Sequence, residues 1–504
     1  MPVFDAALDA GMRLIHARHE ASTVHMADAW ARLTGEPGIA LVTGGPGHAN
    51  AVAALYTASM AESPVVLLSG HAPHGELGMG AFQEMAQAEV AAPLTKAAWV
   101  TASANEVAGD IDKAMAWAKA GRPGPVHVSL PTDCLENEAA PAPPREPAQD
   151  RKQLPQVAAI AERLSKARTP LILCGPATLT KPGRERMAAL EEASGIPVIG
   201  MESPRGIADP SLGAFAQILA RADCVLLLGK PLDFTLRFGR APAFRAECEF
   251  LQIDAEPGEI ERTRRAVGAR LLATAMADVF TGAAALAGAL KPMQGSWRGE
   301  VRAAIAYRPS AWDTAASREP NRLHPVQALR PLQALLDAHP DSVFVSDGGE
   351  IGQWAQACLA APNRVINGVA GSIGAALPFA LAARLAKPDA PVVAVMGDGT
   401  FGFHAAEIDT AARCKLPFLC VVGNDARWNA EYQIQLREYG RERLVGCELL
   451  PTRYDQVAAA FGGYGELLSD PGEVLHAAQR AVRSGLPAVL NVMIEGVAAP
   501  NIKR

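Results

Sequence analysis

Runs of four or five apolar residues recur along this chain and alternate with stretches in which apolar residues return every three or four positions. The first rhythm predicts buried strands and the second predicts helices that cover them. In the first block, an apolar stretch around Leu14-Ile15 leads into the helical pattern Ala21 to Leu33, with Gly35 as a C-cap and Pro37 beyond it. Strand Ile39-Ala40-Leu41-Val42, a glycine loop, helix Ala49 to Ala61 and strand Val65-Val66-Leu67-Leu68 follow. Strands that are apolar throughout, with helices between them, predict parallel sheets covered on both faces. The middle block repeats this grammar at Pro170–Leu173, Ile196–Ile199, Val225–Leu228 and Phe250–Ile253, and the third at Val343–Val345, Val392–Val395 and Phe418–Val422. The proline-dense segment Asn137–Asp150 and the mixture of Gly, Ser, Arg and Pro over roughly Met293–Asn321 read as exposed linkers. The fold class is therefore α/β, with three doubly wound parallel-sheet domains over 1–136, 151–292 and 322–498.

A length of 504 residues suits three domains and excludes a single small binding module. Hydrophobic residues at 49% against 20% charged can fill several cores, which excludes a disordered chain. The net charge is 47 − 53 = −6, with no basic block and few aromatics, so no nucleic-acid partner is expected. The start Met1-Pro2-Val3-Phe4-Asp5 has no basic region before an apolar stretch, and no run of 18 apolar residues occurs later. A cytoplasmic location and no membrane partner follow as expectations. Eight cysteines without a C-x-x-C pair argue against a disulfide framework or a zinc site, and most of them read as small buried apolar groups.

Ligands of open α/β sheets bind beyond the carboxyl ends of strands. Five segments are assigned there: Arg18-His19-Glu20, Thr43-Gly44-Gly45-Pro46-Gly47, Ser346-Asp347-Gly348-Gly349, Met396-Gly397-Asp398-Gly399-Thr400 and Gly423-Asn424-Asp425. Gly397 to Gly402 matches G-x-G-x-x-G, which taken literally is a dinucleotide fingerprint. Asp398 between the glycines opposes that reading, because two unit charges about 4 Å apart at an effective dielectric of about 20 repel by about 4 kcal/mol. A divalent cation removes the conflict. If Asp398 and Asp425, 425 − 398 = 27 residues apart at the ends of adjacent strands, both hold Mg²⁺, the metal bridges the protein to a diphosphate. Backbone N–H groups of the glycine turn then cradle the phosphate oxygens. A lone G-D-G is more often a turn, and Asn-Asp at a strand end is more often a cap; the conjunction at this spacing carries the reading.

These residues resemble the thiamine-diphosphate enzyme family, in particular its acetolactate synthase, benzaldehyde lyase and 2-hydroxyacyl-CoA lyase branch, over nearly the whole chain. The resemblance implies pyrimidine-binding, central Rossmann-like and diphosphate-binding domains, with thiamine diphosphate and Mg²⁺ as cofactors. By this match Asp398 is the first metal ligand, Asp425 stands where an asparagine is usual, and the backbone carbonyl of Arg427 is the third ligand. Gly397, Gly399, Thr400 and Asn424 belong to the same cofactor loops, and Gly349 would approach the diphosphate. Glu20 matches the glutamate that bonds the pyrimidine nitrogen and shares a proton with the ring. Asn50, thirty residues on, would touch the pyrimidine, and Gln83, sixty-three on, the substrate or its oxyanion. Gly371-Ser372-Ile373-Gly374 resembles the segment whose apolar side chain, here Ile373, props the cofactor in a bent shape. Arg427, Trp428, Glu431 and Gln433 are candidates for a substrate channel, while His48, His71, His74 and His404 lie near the loops, where a lone histidine is more often structural.

Cofactor chemistry is fixed better than substrate. The implied activity makes or breaks a C–C bond beside a carbonyl, as in acetolactate synthesis from a small 2-keto acid. The alternatives are a 2-hydroxyacyl-CoA lyase or oxalyl-CoA decarboxylase-like enzyme acting on an acyl-CoA, and a non-catalytic homologue serving as a binding subunit; a NAD-dependent dehydrogenase is more remote. Leu228 to Gly239 looks closer to 2-hydroxyacyl-CoA lyases than to the flavin-binding pattern of acetolactate synthases, which weighs against FAD, and Arg122 does not decide. Sites of the family form between subunits, so a homodimer or homotetramer is expected. Met1 to Gly11 matches a region after the first strand-helix unit of the family's pyrimidine domain, and that unit is expected to be missing.

Overall fold

The computed structural model describes residues 2–140 and 156–504. Their strands form three sheets in which every pairing is parallel. The first and third sheets belong to one compact unit and the central sheet to another. The segment Asn137–Asp150, read as a linker, lies largely outside the described residues.

The first sheet holds β1 (Gly38–Val42), β2 (Val65–His71), β3 (Ala97–Val100) and β4 (Val126–Pro131) in the order β1-β2-β4-β3. β4 is buried along its whole length, as a strand covered on both faces is, and its two buried polar residues, His127 and Ser129, meet each other at 2.9 Å. Helix Glu20–Thr34 starts at an extended His19, whose Nδ1 accepts the Ala21 N–H at 3.1 Å, and stops at Gly35 in the left-handed region (φ 78°). Leu14-Ile15, by contrast, forms no strand. Two apolar residues between Arg13 and His16 are too few to sustain a ladder, and Ile15 packs instead beside the core that contains Met26 and Leu33. Arg18-His19-Glu20 therefore follows an irregular segment and not a strand, which corrects its assignment to a strand end.

The central unit holds β5 (Pro170–Cys174), β6 (Val198–Gly200), β7 (Cys224–Leu228), β8 (Glu249–Asp254) and β9 (Leu271–Met276) in the order β6-β5-β7-β8-β9. The supposed linker Met293–Asn321 needs correction, because it contains helix Trp297–Ala306. Trp297, Val301 and Ala304 recur at helical spacing and are buried in the central core, with Trp297 Nε1 donating to the Pro170 carbonyl at 2.8 Å. Arg298, Gly299, Glu300 and Arg302 between them concealed the pattern.

The third sheet holds β10 (Val343–Ser346), β11 (Asn363–Ile366), β12 (Val392–Gly397), β13 (Leu419–Asn424), β14 (Tyr464–Leu468) and β15 (Ala488–Met493) in the order β11-β10-β12-β13-β15-β14. The chain departs from β10 to one side and β12 lies on the other, so a topological switch point falls between them. Met26, Ala29 and Leu33 of the Glu20 helix share one core with Leu377, Phe379, Ala380 and Ala383 of helix Ala376–Ala386. All eight cysteines are free and six are buried. Among the described residues no helix is long and apolar enough to cross a membrane.

Candidate active site

β12 and β13 are neighbours with Gly397 opposite Gly423, so the residues that follow them, Asp398 and Asp425, leave the sheet at the same edge. Both are deeply buried, at 2% and 6% exposure. Burial pushes the Asp398 carboxyl up to about 6; burial, and then the charge of Asp398, push Asp425 up to about 8. Asp398 Oδ2 is buried with no hydrogen-bond partner. Two buried carboxylates with an orphaned oxygen between strand ends form a hard-oxygen donor set that fits a divalent cation such as Mg²⁺. The loop carrying Asp425 is shaped for the task. Asn424 Oδ1 accepts the Ala426 N–H at 3.2 Å and Asp425 Oδ1 accepts the Arg427 N–H at 3.1 Å. Ala426 itself takes φ 58°, a left-handed conformation that costs a non-glycine residue about 1 kcal/mol. Trp428 N–H donates to Cys447 O and Leu449 N–H to Ala426 O, leaving the Arg427 carbonyl between them outside those bonds. The Asn424 amide donates to Thr452 O and Asn491 Oδ1, both at 3.0 Å, so its side chain is engaged with protein groups.

Glycine at 399 has a steric cause, since a Cβ there would lie 2.6 Å from the Trp428 ring. Thr400 Oγ1 donates to Gly397 O at 3.1 Å and closes the first turn of helix Asp398–His404. Across the switch point, Asp347 follows β10 and is fully buried. Its carboxylate accepts the N–H of Gly348 at 2.6 Å, of Gly374 at 3.0 Å from both oxygens, and of Ala376 at 3.1 Å. Burial pushes this carboxyl up to about 6, and the N–H donors pull the other way. Asp347 thus ties the Gly371–Gly374 loop to the start of helix Gly349–Cys358. Ile373 lies against Gly348, where a Cβ would come within 2.7 Å of its Cγ2. Ile373 and Ser372 are only half-buried, Gly371 is exposed, and Gly349 has φ 75° with open space beside it. Asp347 stood in a loop singled out from the sequence and was given no role; its place directly after β10 was the available signal.

The third group sits on the glycine loop after β1. Asn50 Nδ2 donates to Glu20 Oε2 at 3.1 Å, and a Cβ on Gly47 would lie 3.4 Å from Glu20 Oε1. Thr43 Oγ1 donates to Gln83 Oε1 at 3.3 Å, and Gln83, itself at φ 59°, presses on Gly45, where a Cβ would be 2.9 Å from its own. Glu20, Asn50 and Gln83, thirty and sixty-three residues apart, are brought to one loop. Sequence reasoning missed what holds that loop. Buried Gln87 accepts the Gly45 N–H at 2.7 Å and donates to Gly70 O and Ser129 Oγ, each at 3.0 Å. Buried Glu407, from the third sheet's helices, accepts the N–H groups of Arg18 at 3.1 Å and His19 at 3.2 Å, immediately before Glu20. No periodicity or motif marks either residue.

His404 Nδ1 meets Gly374 O at 2.8 Å, and its ring lies 5.7 Å from that of His19, so a path of contacts runs from the Glu20 helix to the Ile373 loop. No hydrogen bond among the described residues joins Glu20, Asn50 or Gln83 directly to Asp398 or Asp425. His48 pairs with Ser69 Oγ at 2.9 Å and its ring lies 4.5 Å from that of His127, inclined at 53°; burial pushes them down to about 4 and about 3. Of the substrate-channel candidates, Glu431 is exposed, Gln433 donates to Asn429 Oδ1 and Gly496 O, and the Arg427 guanidinium lies over the Tyr432 ring at 4.5 Å.

Comparison with known proteins finds a match to strands of each of the three sheets. Residues 1–90 fit the thiamine pyrophosphate enzyme N-terminal TPP binding domain, 157–277 the central domain and 347–492 the C-terminal TPP binding domain. The chain is 33% identical over 517 residues to a probable acetolactate synthase of Mycobacterium bovis, covering 98% of this chain and 91% of that protein. It is 32% identical over 560 residues to the 2-hydroxyacyl-CoA lyase 2 of Homo sapiens, covering 98% and 86%, and 27% identical over 528 residues to a 2-hydroxyacyl-CoA lyase of Arabidopsis thaliana, covering 97% and 90%. Three domain matches in consecutive order and full-length similarity at this identity mean that the chain belongs to the thiamine pyrophosphate enzyme family.

Proposed function

We propose that this enzyme acts as an acetolactate synthase does: the bond between the carboxylate and the carbonyl carbon of a 2-keto acid breaks, CO₂ leaves, and that carbon forms a new C–C bond to a second carbonyl compound. The observation that carries the reading is the buried Asp398–Asp425 pair with its orphaned oxygen, beside the Asp347-ordered Gly348–Ile373 contact. Asp398, Asp425 and the Arg427 carbonyl would hold Mg²⁺, with Gly349, Gly397 and Gly399 offering backbone to the diphosphate. Bound thiamine diphosphate supplies the nucleophilic carbon and the electron sink. Glu20, oriented by the Asn50 amide, holds a proton at the pyrimidine ring nitrogen. Gln83, its carbonyl engaged by Thr43, offers its amide N–H groups to a substrate oxygen that gains negative charge. Half-buried Ile373 would support the bound cofactor with an apolar side chain and help exclude water. The exposed apolar side chains Met79 and Phe82, on the segment that carries Gln83, suit burial by a second copy, so the working form is a homodimer or homotetramer.

Cleavage of 2-hydroxyacyl-CoA substrates is the second reading, favoured by the Leu228–Gly239 sequence and by the 32%-identical lyase. The deciding experiment supplies purified protein with thiamine diphosphate and Mg²⁺ and follows pyruvate consumption and 2-hydroxyacyl-CoA cleavage side by side. Pyruvate turnover that stops on addition of EDTA is the expected result. Acyl-CoA cleavage alone would transfer the assignment to the lyase reading, and tightly bound cofactor with neither turnover would point to a non-catalytic subunit.

A further inference from the structure

Beyond the ends of β2 and β4, adjacent strands with His71 opposite Pro131, three metal-ligating side chains converge: His74, Asp133 and Cys134. His74 Nδ1 lies 3.2 Å from Asp133 Oδ2 and 3.8 Å from Cys134 Sγ, and the ligand atoms of all three fall within 4.8 Å of one another. One ring nitrogen therefore faces a carboxylate and a thiol together. Without a cation the ring nitrogen serves Asp133 as a donor while the Cys134 thiol donates to Thr101 O at 3.7 Å, so the cluster is held by hydrogen bonds in its metal-free form. A cation would engage the imidazole, the carboxylate and the thiolate together. With Zn–N and Zn–O near 2.0 Å and Zn–S near 2.3 Å, the edges of a tetrahedral site are about 3.3 Å for N to O and about 3.5 Å for N to S, close to the separations present. Cysteine spacing along the sequence gave no hint of this, because the partners come from strand ends 59 and 60 residues apart.

We propose that His74, Asp133 and Cys134 bind a borderline-soft divalent cation of the zinc class, distinct from the oxygen-lined Asp398–Asp425 site. Binding releases the Cys134 thiol proton to solvent; His74 coordinates through neutral Nδ1 and keeps its proton on Nε2. Thiolate and carboxylate together neutralise the dication, which suits a half-buried position. Three protein ligands leave a fourth position open to water. Because His74 opens the segment that runs to Gln83, the bound ion fixes the base of that segment.

The test uses holoenzyme with thiamine diphosphate and excess Mg²⁺, titrated with Co²⁺ as the spectroscopic probe. One equivalent should produce a near-ultraviolet thiolate-to-cobalt charge-transfer band that Zn²⁺ displaces. Cobalt at the two aspartates gains no sulfur ligand and gives no such band. Cys134→Ser should abolish the band, and His74→Gln and Asp133→Asn should each weaken Co²⁺ binding at least tenfold. The latter two side chains are 36% exposed, so these variants report even where the buried Cys134 replacement does not fold. Absence of the band in the unmodified enzyme, its persistence in Cys134→Ser, or unchanged affinity in His74→Gln would overturn the assignment.

Discussion

Removing the Asp347 carboxylate leaves three buried N–H groups, those of Gly348, Gly374 and Ala376, without their acceptor. At about 1–3 kcal/mol for each buried orphan, the loss in Asp347→Ala lies between about 3 and 9 kcal/mol before relief. Relief comes from the carboxylate's own burial. The group is held at about 6 against an ordinary 3.8, which at neutral pH costs the folded state about 3 kcal/mol. The net deficit of the variant at pH 8 is then between about 0 and 6 kcal/mol, with a midpoint of about 3 kcal/mol. Its pH dependence has a definite sign. A carboxyl raised in the folded state contributes its stability fully below about 3.8 and loses it as pH rises through about 6. The deficit of Asp347→Ala must therefore grow on acidification, by about 1–2 kcal/mol between pH 8 and pH 5. Urea denaturation of wild type and variant at the two pH values measures it, and the difference between the proteins cancels every other titrating group. The uncharged Asp347→Asn variant should lack the wild-type group's titration in the same way while keeping part of the hydrogen bonding. Release of the Gly374 loop should also weaken thiamine diphosphate binding about tenfold, of the order of one lost charge-assisted hydrogen bond. A deficit below about 1 kcal/mol at pH 5, or one that shrinks between pH 8 and pH 5, refutes the role given to Asp347.

Other outcomes follow from the same geometry. Gly399→Ala drives a methyl into the Trp428 ring and should cost about 1–3 kcal/mol and lower cofactor affinity, with Trp428→Leu restoring both in the double variant, read by melting and calorimetry. Glu20→Gln should reduce kcat by a factor of 100 or more while thiamine diphosphate still binds in calorimetry, since a general acid–base group contributes about 10²–10⁴. Glu407→Ala frees the Arg18 and His19 N–H groups and should lower kcat about tenfold with KM little changed in steady-state assays. Burial holds His25 and His127 at about 3 and His48 at about 4, all below the ordinary 6.5. Their depressed folded-state values mean full stability above about 6.5 and progressive loss toward pH 4, so the melting temperature should fall between pH 7 and pH 5, each histidine costing up to about 2 kcal/mol at pH 5.

What the sequence revealed was whatever local chemistry dictates. The Glu20 helix could be bounded because Gly35 marks its end, and β12 and β13 could be placed to within two residues, the apolar strands read as ending at Val395 and Val422 and observed to end at Gly397 and Asn424. Asp398 and Asp425 could be paired because adjacent parallel strands place their ends together. Helix Trp297–Ala306 was hidden by charged residues that face solvent around an apolar stripe of three. Gln87 and Glu407 were illegible for another reason: each acts on backbone distant in sequence, and a side chain's partner 42 or 389 residues away leaves no trace in spacing. Asp347 lay between the two cases, visible as a strand-end acid, while its partners in the Gly374 loop emerge only from the fold.

Met26, Ala29 and Leu33 of the Glu20 helix complete a core whose other members belong to the third sheet and its helices. The amino-terminal segment is for that reason not an autonomous piece: expressed by itself, it would present an oily stripe to water and aggregate. Residues 156–315, whose two hydrophobic cores draw on their own elements alone, are the part suited to expression in isolation. Splitting this chain into soluble fragments should succeed only when the flanking segments are produced together and allowed to complement each other.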